Sequence, residues 1–248
     1  MNKIFILVVL LLLLGCSNNS EKIKDDVFNK NNLLAPVNGF LATDDGKEIA
    51  YSFFEKPESK FGLVLVHMLD RTRHDFDDFA KTLQAAGYSV VSIDMRGHSE
   101  STPGLMWRAF SEPEFKTIIF DVKAASNFLV SKNIQNIILV GASIGANTVL
   151  NYGVADKSVK AIVLLSPGLD YRGVRVLDAA NENFKPLFVI ASEDDLYSLT
   201  SSQEIVKASV SSVEDEKYYK DAGHGTDMFK KERVDLEIIS WLFENGLR

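Results

Sequence analysis

The chain alternates between short, uninterrupted apolar segments and longer segments in which apolar residues return every three or four positions. Apolar runs without polar alternation are typical of strands that are covered on both faces. They predict strands at 61–66, 89–93, 136–140, 161–165 and 187–190, and we expect a further strand at 217–219. The helical spacing predicts helices at 76–86, 115–130, 143–154 and 234–243.

Two further apolar segments, 37–41 and 48–54, flank the turn sequence Asp44-Asp45-Gly46 and predict an antiparallel hairpin. After this hairpin, strands and helices alternate, which indicates an α/β fold with a mostly parallel sheet and helices on both faces. No linker interrupts the alternation, so we expect one domain over residues 33–248.

The first residues have a different character. Lys3 precedes an apolar run over 4–14, which ends at Gly15 and Cys16. As a helix this run rises about 16 Å, too short for a hydrocarbon core of about 30 Å, and it is typical of a secretory signal peptide. We therefore expect a signal peptide at 1–15.

The context of Cys16 resembles the lipobox of bacterial lipoproteins. The resemblance implies cleavage before Cys16, lipidation of this residue, and an exported protein anchored to a lipid bilayer. Residues 16–32 are then a polar tether. An ordinary signal with an incidental cysteine, and a short amphipathic helix in place of the tether, stay open as alternatives.

Composition narrows the classes of function. The chain has 248 residues, 46% of them hydrophobic, and a net charge of −7. An acidic surface argues against nucleic acid as a partner, because phosphate binding needs a basic face. Cys16 is the single cysteine, so as an anchor it leaves the domain no thiol nucleophile and no disulfide. The sequence has no metal-type cluster of Cys and His, and we expect no metal and no cofactor.

The segment ILVGASIGA at 138–146 contains a Gly-x-Ser-x-Gly pattern where a predicted strand meets a predicted helix. It is either a tight structural turn or a nucleophile elbow, in which Ser143 presents its hydroxyl above the sheet. A serine hydroxyl is a poor nucleophile without a base. Of the four histidines, only His224 follows Ser143, as the elbow order serine, acid, histidine requires.

The acid of such a triad should follow the strand at 187–190. Asp195 fits the offset from this strand best, with Asp194 as the second choice and Asp170, after the preceding strand, as the third. A carboxylate there would orient the imidazole and stabilise its charged form. We therefore expect a triad of Ser143, Asp195 and His224.

Five segments over residues 37–248 together resemble the α/β-hydrolase family: LVLVHMLD, IDMRGHSES, LVGASIGA, FVIASEDD and DAGHG. The resemblance implies an α/β-hydrolase fold with oxyanion-hole amides at Ile144 and Leu69. Met68 stands where many members have glycine. It also implies structural roles for His67 and His98.

The residues between the strands at 161–165 and 187–190 are few, so we expect a small cap and an open site. Three apolar residues, with Leu105, either line a substrate pocket or pack a long loop: Met106, Trp107 and Phe110. We expect a serine hydrolase that forms an acyl-enzyme with a small-molecule carboxylic ester or thioester. An exopeptidase-like or acylamide hydrolase, and a non-catalytic binding lipoprotein, are the alternatives.

Overall fold

A computed structural model describes residues 33–102, 104 and 106–248. The predicted signal peptide, Cys16 and the tether lie outside these described residues, as does Leu105. Within this described part, no helix has the length and apolarity needed to cross a membrane.

An eight-stranded sheet forms the centre of the described domain, with strand order β1-β2-β4-β3-β5-β6-β9-β10. Strands β1 and β2 form the predicted antiparallel hairpin and β2 pairs antiparallel with β4, whereas all the other neighbours are parallel. In chain order, the strands are β1 Val37–Ala42, β2 Glu48–Phe54, β3 Phe61–Val66, β4 Ser89–Ile93, β5 Asn136–Ala142, β6 Val159–Leu165, β7 Asp170–Tyr171, β8 Val174–Arg175, β9 Leu187–Ser192 and β10 Glu214–Tyr219.

Helices cover both faces of this sheet. They are α1 Asp77–Ala85, α2 Glu112–Lys116, α3 Ile119–Ser131, α4 Ile144–Ala155, α5 Leu177–Asn181, α6 Leu196–Ala208, α7 Met228–Lys231 and α8 Val234–Glu244. The mostly parallel sheet, the hairpin and the two helical layers confirm the predicted fold class.

Successive side chains of the central strands point to opposite faces, which builds two cores. On β3, Val64 packs in the core with α3, α4 and α6, whereas Leu65 packs in the core with α1 and α8. Both side chains are fully buried. Burying one such side chain contributes about 1.5–3 kcal/mol, so the two apolar layers hold the sheet between the helices.

The predicted helix at 115–130 is wrong in one respect, because it is two helices, α2 and α3. At their junction, the amides of Thr117 and Ile118 bond to carbonyls three residues back instead of four. The Thr117 hydroxyl also donates to the carbonyl of Glu114, at 2.7 Å. Such local side-chain bonding competes with the helical pattern and ends the first helix.

Candidate active site

Ser143 lies in the sharp turn between β5 and α4. Its backbone has φ 55° and ψ −121°, a conformation that costs about 1–3 kcal/mol for a residue with a side chain. Its amide donates to the carbonyl of Leu165, at 2.8 Å, which fixes the turn to β6. This is the geometry of the strand-to-helix elbow that the Gly-x-Ser-x-Gly pattern predicts.

The two glycines of the pattern are required by close backbone contacts. A Cβ on Gly145 would lie 2.5 Å from the carbonyl oxygen of Val66 and 2.6 Å from that of His67. A Cβ on Gly141 would collide with the carbonyl oxygen of Gly145. The backbone of the first turn of α4 therefore packs directly against the ends of β3 and β5. This contact places Ser143 at the edge of the sheet.

Asp195 and His224 meet at the same edge of the sheet. Asp195 follows β9 and His224 follows β10, and Nδ1 of His224 lies 2.5 Å from Oδ2 of Asp195. The other carboxylate oxygen accepts the amide of Ser198, at 3.3 Å. Because a carboxylate accepts, Nδ1 carries the proton and Nε2 is left with a free lone pair. This ring can act as a general base through Nε2.

The other two candidate acids have different partners. Asp194 accepts a hydrogen bond from the Ser192 hydroxyl and another from the amide of Gly223, at 3.2 Å. Asp170 binds the amide of Gly173 and the guanidinium of Arg175. Of the three carboxylates, Asp195 is the one hydrogen-bonded to His224, whereas Asp194 holds the loop that carries this histidine.

His67 and His98 are buried and bond to the backbone of neighbouring loops. Nδ1 of His67 donates to the carbonyl of Met68, at 2.7 Å, and Nε2 accepts the amide of Met95, at 3.0 Å. Burial lowers the pKa of His67, and it lowers the pKa of His98 to about 4. Both rings are therefore neutral near pH 7, and their contacts hold the loops after β3 and β4.

The two predicted oxyanion donors lie on either side of the elbow. Ile144 begins α4, where the helix N-terminus favours negative charge. Leu69 lies half-buried in the loop after β3. Their role as oxyanion donors stays a prediction.

The structure explains what Met68 does in place of glycine. Met68 is buried, and a Cβ on Gly225 would lie 2.6 Å from its sulfur atom. Its side chain therefore fills the space beneath the loop that carries His224.

Polar contacts tie the loop of Leu69 to the loop of His224. Arg71 donates to both carboxylate oxygens of Asp227, at 2.8 and 2.9 Å. The hydroxyl of Thr226 donates to Asp75, at 2.6 Å. These contacts fix the position of one predicted oxyanion donor relative to the predicted base.

The predicted pocket residues lie in the loop after β4. Met106 is 55% exposed, Trp107 stacks on His98 with ring centroids 5.5 Å apart, and Phe110 packs on Phe115. Met106 and Trp107 line a cavity of about 260 Å³. Phe110 lies against the core, and a substrate-binding role for all three stays a prediction.

The sequence pattern does not predict two further candidate residues, Tyr171 and Ser198. Tyr171, on the β7–β8 hairpin, packs edge-on to His224 with ring centroids 6.3 Å apart, and its hydroxyl lies 3.0 Å from that of Ser198. The Ser198 hydroxyl lies 3.4 Å from Nδ1 of His224. Neither residue stands in a recognisable motif, and a two-residue strand is too short to leave a periodic pattern.

The described part of the chain contains no cluster of three or more His, Cys, Asp or Glu side chains suited to a metal ion.

Known structures share the fold at low sequence identity. An esterase from Pyrococcus furiosus is 18% identical, with 89% of this chain and 94% of that chain covered and a TM-score of 0.70. A dienelactone hydrolase from Anabaena variabilis is 16% identical, with 85% and 99% covered and a TM-score of 0.71. A bacterial membrane phospholipase A is 13% identical, with 98% and 99% covered and a TM-score of 0.68.

At the level of sequence, no protein of curated function matches significantly. The family model described as "Serine aminopeptidase, S33" matches residues 57–208, which is more than half of the chain. The matched region runs from the loop before β3 to the end of α6, and it includes Ser143 and Asp195. The chain therefore belongs to the serine aminopeptidase S33 family, and it is a hydrolase with the α/β-hydrolase fold.

Proposed function

We propose that the protein hydrolyses carboxylic esters or thioesters of small molecules, with Ser143 as nucleophile, His224 as base and Asp195 as the acid that orients it. One observation carries the proposal. The hydrogen bond between Nδ1 of His224 and Oδ2 of Asp195 lies at the sheet edge where Ser143 stands in its elbow. The three residues thus have the chain order that acyl transfer by serine requires, and the proposed base has an acidic partner.

In the proposed reaction, Oγ of Ser143 bonds to the carbonyl carbon of the substrate while its proton passes to Nε2 of His224. The π electrons move to the carbonyl oxygen, where the amides of Ile144 and Leu69 would stabilise the negative charge. The oxyanion then collapses, the bond to the leaving oxygen or sulfur breaks, and His224 returns the proton to that atom. Water repeats both steps on the acyl-enzyme and releases the acid.

The surroundings of the site support an apolar substrate. Leu196, directly after the proposed acid, is 67% exposed. This segment contains only the β7–β8 hairpin and the short helix α5, which support the expected small cap. An exposed apolar side chain next to the proposed acid favours an uncharged acyl or alcohol group.

A second candidate is hydrolysis of aminoacyl amides, which the description of the family favours. The same triad cleaves esters and amides, so the discriminating experiment is a substrate panel. Short- and long-chain nitrophenyl esters are compared with aminoacyl anilides, using the wild type and Ser143→Ala. We expect ester turnover that the variant abolishes. A preference for anilides would establish the peptidase instead, and the absence of turnover on every substrate would favour a binding lipoprotein.

We also propose that the protein is exported and anchored to a lipid bilayer through lipidated Cys16. The apolar run before Cys16 and its lipobox-like context support this proposal. Several acyl chains would give stable anchoring, because each buried methylene adds about 0.8 kcal/mol. Cells grown with labelled palmitate should label the wild type and leave Cys16→Ser unlabelled. Equal labelling of both proteins would exclude Cys16 as the lipidated residue.

A further inference from the structure

We infer that the end of the sheet opposite Ser143 rests on an anionic lipid bilayer, so that the active site points toward the aqueous phase. This inference rests on the proposed anchoring through Cys16. We call this end the basal surface. It consists of the segments that precede the parallel strands and the two ends of the described chain: 33–36, 55–60, 86–88, 132–135, 156–158, 182–186, 209–213 and 245–248.

The directions of the strands place the start of the described chain at the basal surface. Strands β3, β4, β5, β6, β9 and β10 run parallel, and Ser143, Asp195 and His224 follow the ends of β5, β9 and β10. Strand β2 is antiparallel to β4, and β1 is antiparallel to β2. Strand β1 therefore runs in the direction of the parallel strands, and it begins at the end of the sheet opposite the active site.

A buried side chain fixes this start of the chain to the basal surface. Gln84, near the end of α1, donates through Nε2 to the carbonyl of Leu34 at 3.1 Å and to that of Glu55 at 2.7 Å. Leu34 is thus attached to the loop between β2 and β3 and to the last turn of α1. A tether from Cys16 meets the domain at this point.

The length of the predicted tether favours contact through this surface. The sixteen residues at 17–32 would span on the order of 25 Å as an unstructured chain, and at most about 55 Å when fully extended. A domain of about 216 residues has a diameter of about 45 Å. Placing the active site against the same bilayer would therefore require a tether near full extension, whereas the basal surface lies beside the bilayer without it.

The charge of the basal surface differs from that of the whole chain. The chain carries a net charge of −7, but basic side chains outnumber acidic ones in the basal segments. The basic residues are Lys56, Lys60, Lys132, Lys157, Lys185 and Arg248, and the acidic residues are Glu55, Glu58, Asp156 and Glu182. A basic side chain close to an anionic lipid surface strengthens binding about fivefold, so this surface suits such a bilayer.

Apolar groups accompany these charges. Phe184 is 77% exposed, Leu34 is 49% exposed and Val210 is 48% exposed. The basal surface also contains a cavity of about 320 Å³, whose lining combines aromatic rings, including Tyr88 and Phe243, with basic side chains, including Arg248.

The side chains of this cavity suit a lipid headgroup. The Tyr88 hydroxyl donates to the carbonyl of Leu247 at 2.8 Å, which holds the last residues in place. The guanidinium of Arg248 lies 5.0 Å from the centroid of the Phe243 ring. A cation beside an aromatic wall can bind the phosphate of a lipid while the ring contacts its apolar part.

This orientation specifies the substrate class of the proposed hydrolase. Strand β5 has seven residues and rises about 20 Å between the basal surface and the elbow of Ser143. The active site therefore lies at least that far from the bilayer. The substrate is then a water-soluble ester or thioester that arrives from the aqueous phase, and a lipid still embedded in the same bilayer does not reach Ser143.

The test uses the full-length lipidated protein, reconstituted into neutral vesicles and into vesicles with about one third anionic phosphatidylglycerol. A fluorophore is attached to Phe184→Cys at the basal surface, or to Leu196→Cys at the active-site end, and a quencher is attached to the lipid. We expect the label at 184 to be quenched at least about threefold more than the label at 196 in the anionic vesicles. Stronger quenching at 196, or equal quenching at both positions, would overturn the inference.

Charge variants test the lipid contact in the same vesicles. Lys60→Gln with Arg248→Gln removes two basal charges, and Lys116→Gln with Lys123→Gln removes two charges at the active-site end. The first pair should lower the ratio of docked to undocked protein at least about tenfold, and the second should leave it within about threefold. Equal effects of the two pairs, or equal quenching at 184 in neutral and anionic vesicles, would refute the anionic contact.

Retention on the vesicles separates this inference from the proposed anchoring. Cys16→Ser should not be retained. Wild type that is also not retained would refute the anchoring and the orientation together. Wild type that is retained, but with the label at 196 quenched in place of that at 184, would leave the anchoring intact and refute the orientation alone.

Discussion

Nδ1 of His224 lies 2.5 Å from Oδ2 of Asp195, although the two residues stand 29 positions apart in the chain. The separation is spanned by α6 and β10, which carry the chain from the end of β9 to the last loop. The end of β9 thus supplies the acidic partner, and the loop after the neighbouring strand β10 supplies the imidazole.

Replacing this carboxylate should disable the proposed base without unfolding the domain. The side-chain amide of an asparagine at this position can donate to Nδ1 and so select the wrong tautomer, and we expect Asp195→Asn to lose about 10³–10⁴-fold in kcat on a nitrophenyl ester. Asp194→Asn is the matched control, since it keeps an oxygen that can accept from Gly223. It should stay within about tenfold of wild type. A larger loss in Asp194→Asn than in Asp195→Asn would assign the acid to Asp194.

Alanine at Gly145 should destabilise the fold through a clash with backbone. Its Cβ would meet the carbonyl oxygens of Val66 and His67, which cannot move without distorting the end of β3. Gly153 lies in the same helix, but its Cβ would meet the ends of the Ile162 and Leu139 side chains. Both substitutions gain about 1 kcal/mol in helix propensity.

We therefore expect Gly145→Ala to lie about 1–3 kcal/mol below Gly153→Ala in free energy of unfolding, measured by urea denaturation. Equal stability of the two variants would show that the elbow can open to admit a side chain, contrary to the close contact described above.

The buried histidines should make stability depend on pH. The pKa of His98 is lowered to about 4 in the folded state, from 6.5. Between these values the unfolded chain binds a proton that the folded protein does not, so this part of the stability is complete above pH 6.5 and is lost as the pH falls toward 4. Burial also lowers the pKa of His67, so this residue changes the stability with pH in the same sense.

Removing His98 should therefore reduce this pH dependence. His98→Gln keeps an acceptor for the Asp70 amide. We expect this variant to be less stable than wild type at pH 7. The difference in free energy of unfolding between the two proteins should decrease by about 1–2 kcal/mol from pH 7 to pH 5. His74→Gln removes an exposed histidine that contacts Asp77 and serves as the control. An identical pH dependence in His98→Gln and wild type would mean that His98 is not held neutral by burial.

Much of the fold was predictable because its signals are local. Continuous apolar runs predict the parallel strands other than β10, and Asp44-Asp45-Gly46 predicts the hairpin turn. The Gly-x-Ser-x-Gly pattern predicts the elbow, because a Cβ at either glycine would clash with backbone atoms. The expected chain order of nucleophile, acid and base selects Ser143, Asp195 and His224 from the sequence. In the structure these three residues lie at the same edge of the sheet.

Other features depend on contacts between distant segments. Helix α6 is not predicted because the polar run TSSQE at 200–204 interrupts its apolar spacing, and its position depends on the packing of Ile205 in the core. The position of Tyr171 is not predictable from local pattern, because its hairpin is held by Asn147 of α4, far away in the chain, and its ring packs closely on Gly168. Met68 stands where many members of the α/β-hydrolase family have glycine, and only the structure shows that its side chain fills the space under Gly225.

We propose that Ser143 reacts with acyl compounds because His224 removes its proton. The most direct measurement is covalent labelling by a fluorophosphonate probe of wild type, Ser143→Ala, His224→Ala and the control His74→Gln, with each protein verified as folded. We expect labelling of wild type and His74→Gln, none of Ser143→Ala, and at least a roughly 10²-fold slower reaction of His224→Ala. Labelling of Ser143→Ala at the wild-type rate, or of His224→Ala at the rate of His74→Gln, would contradict the account.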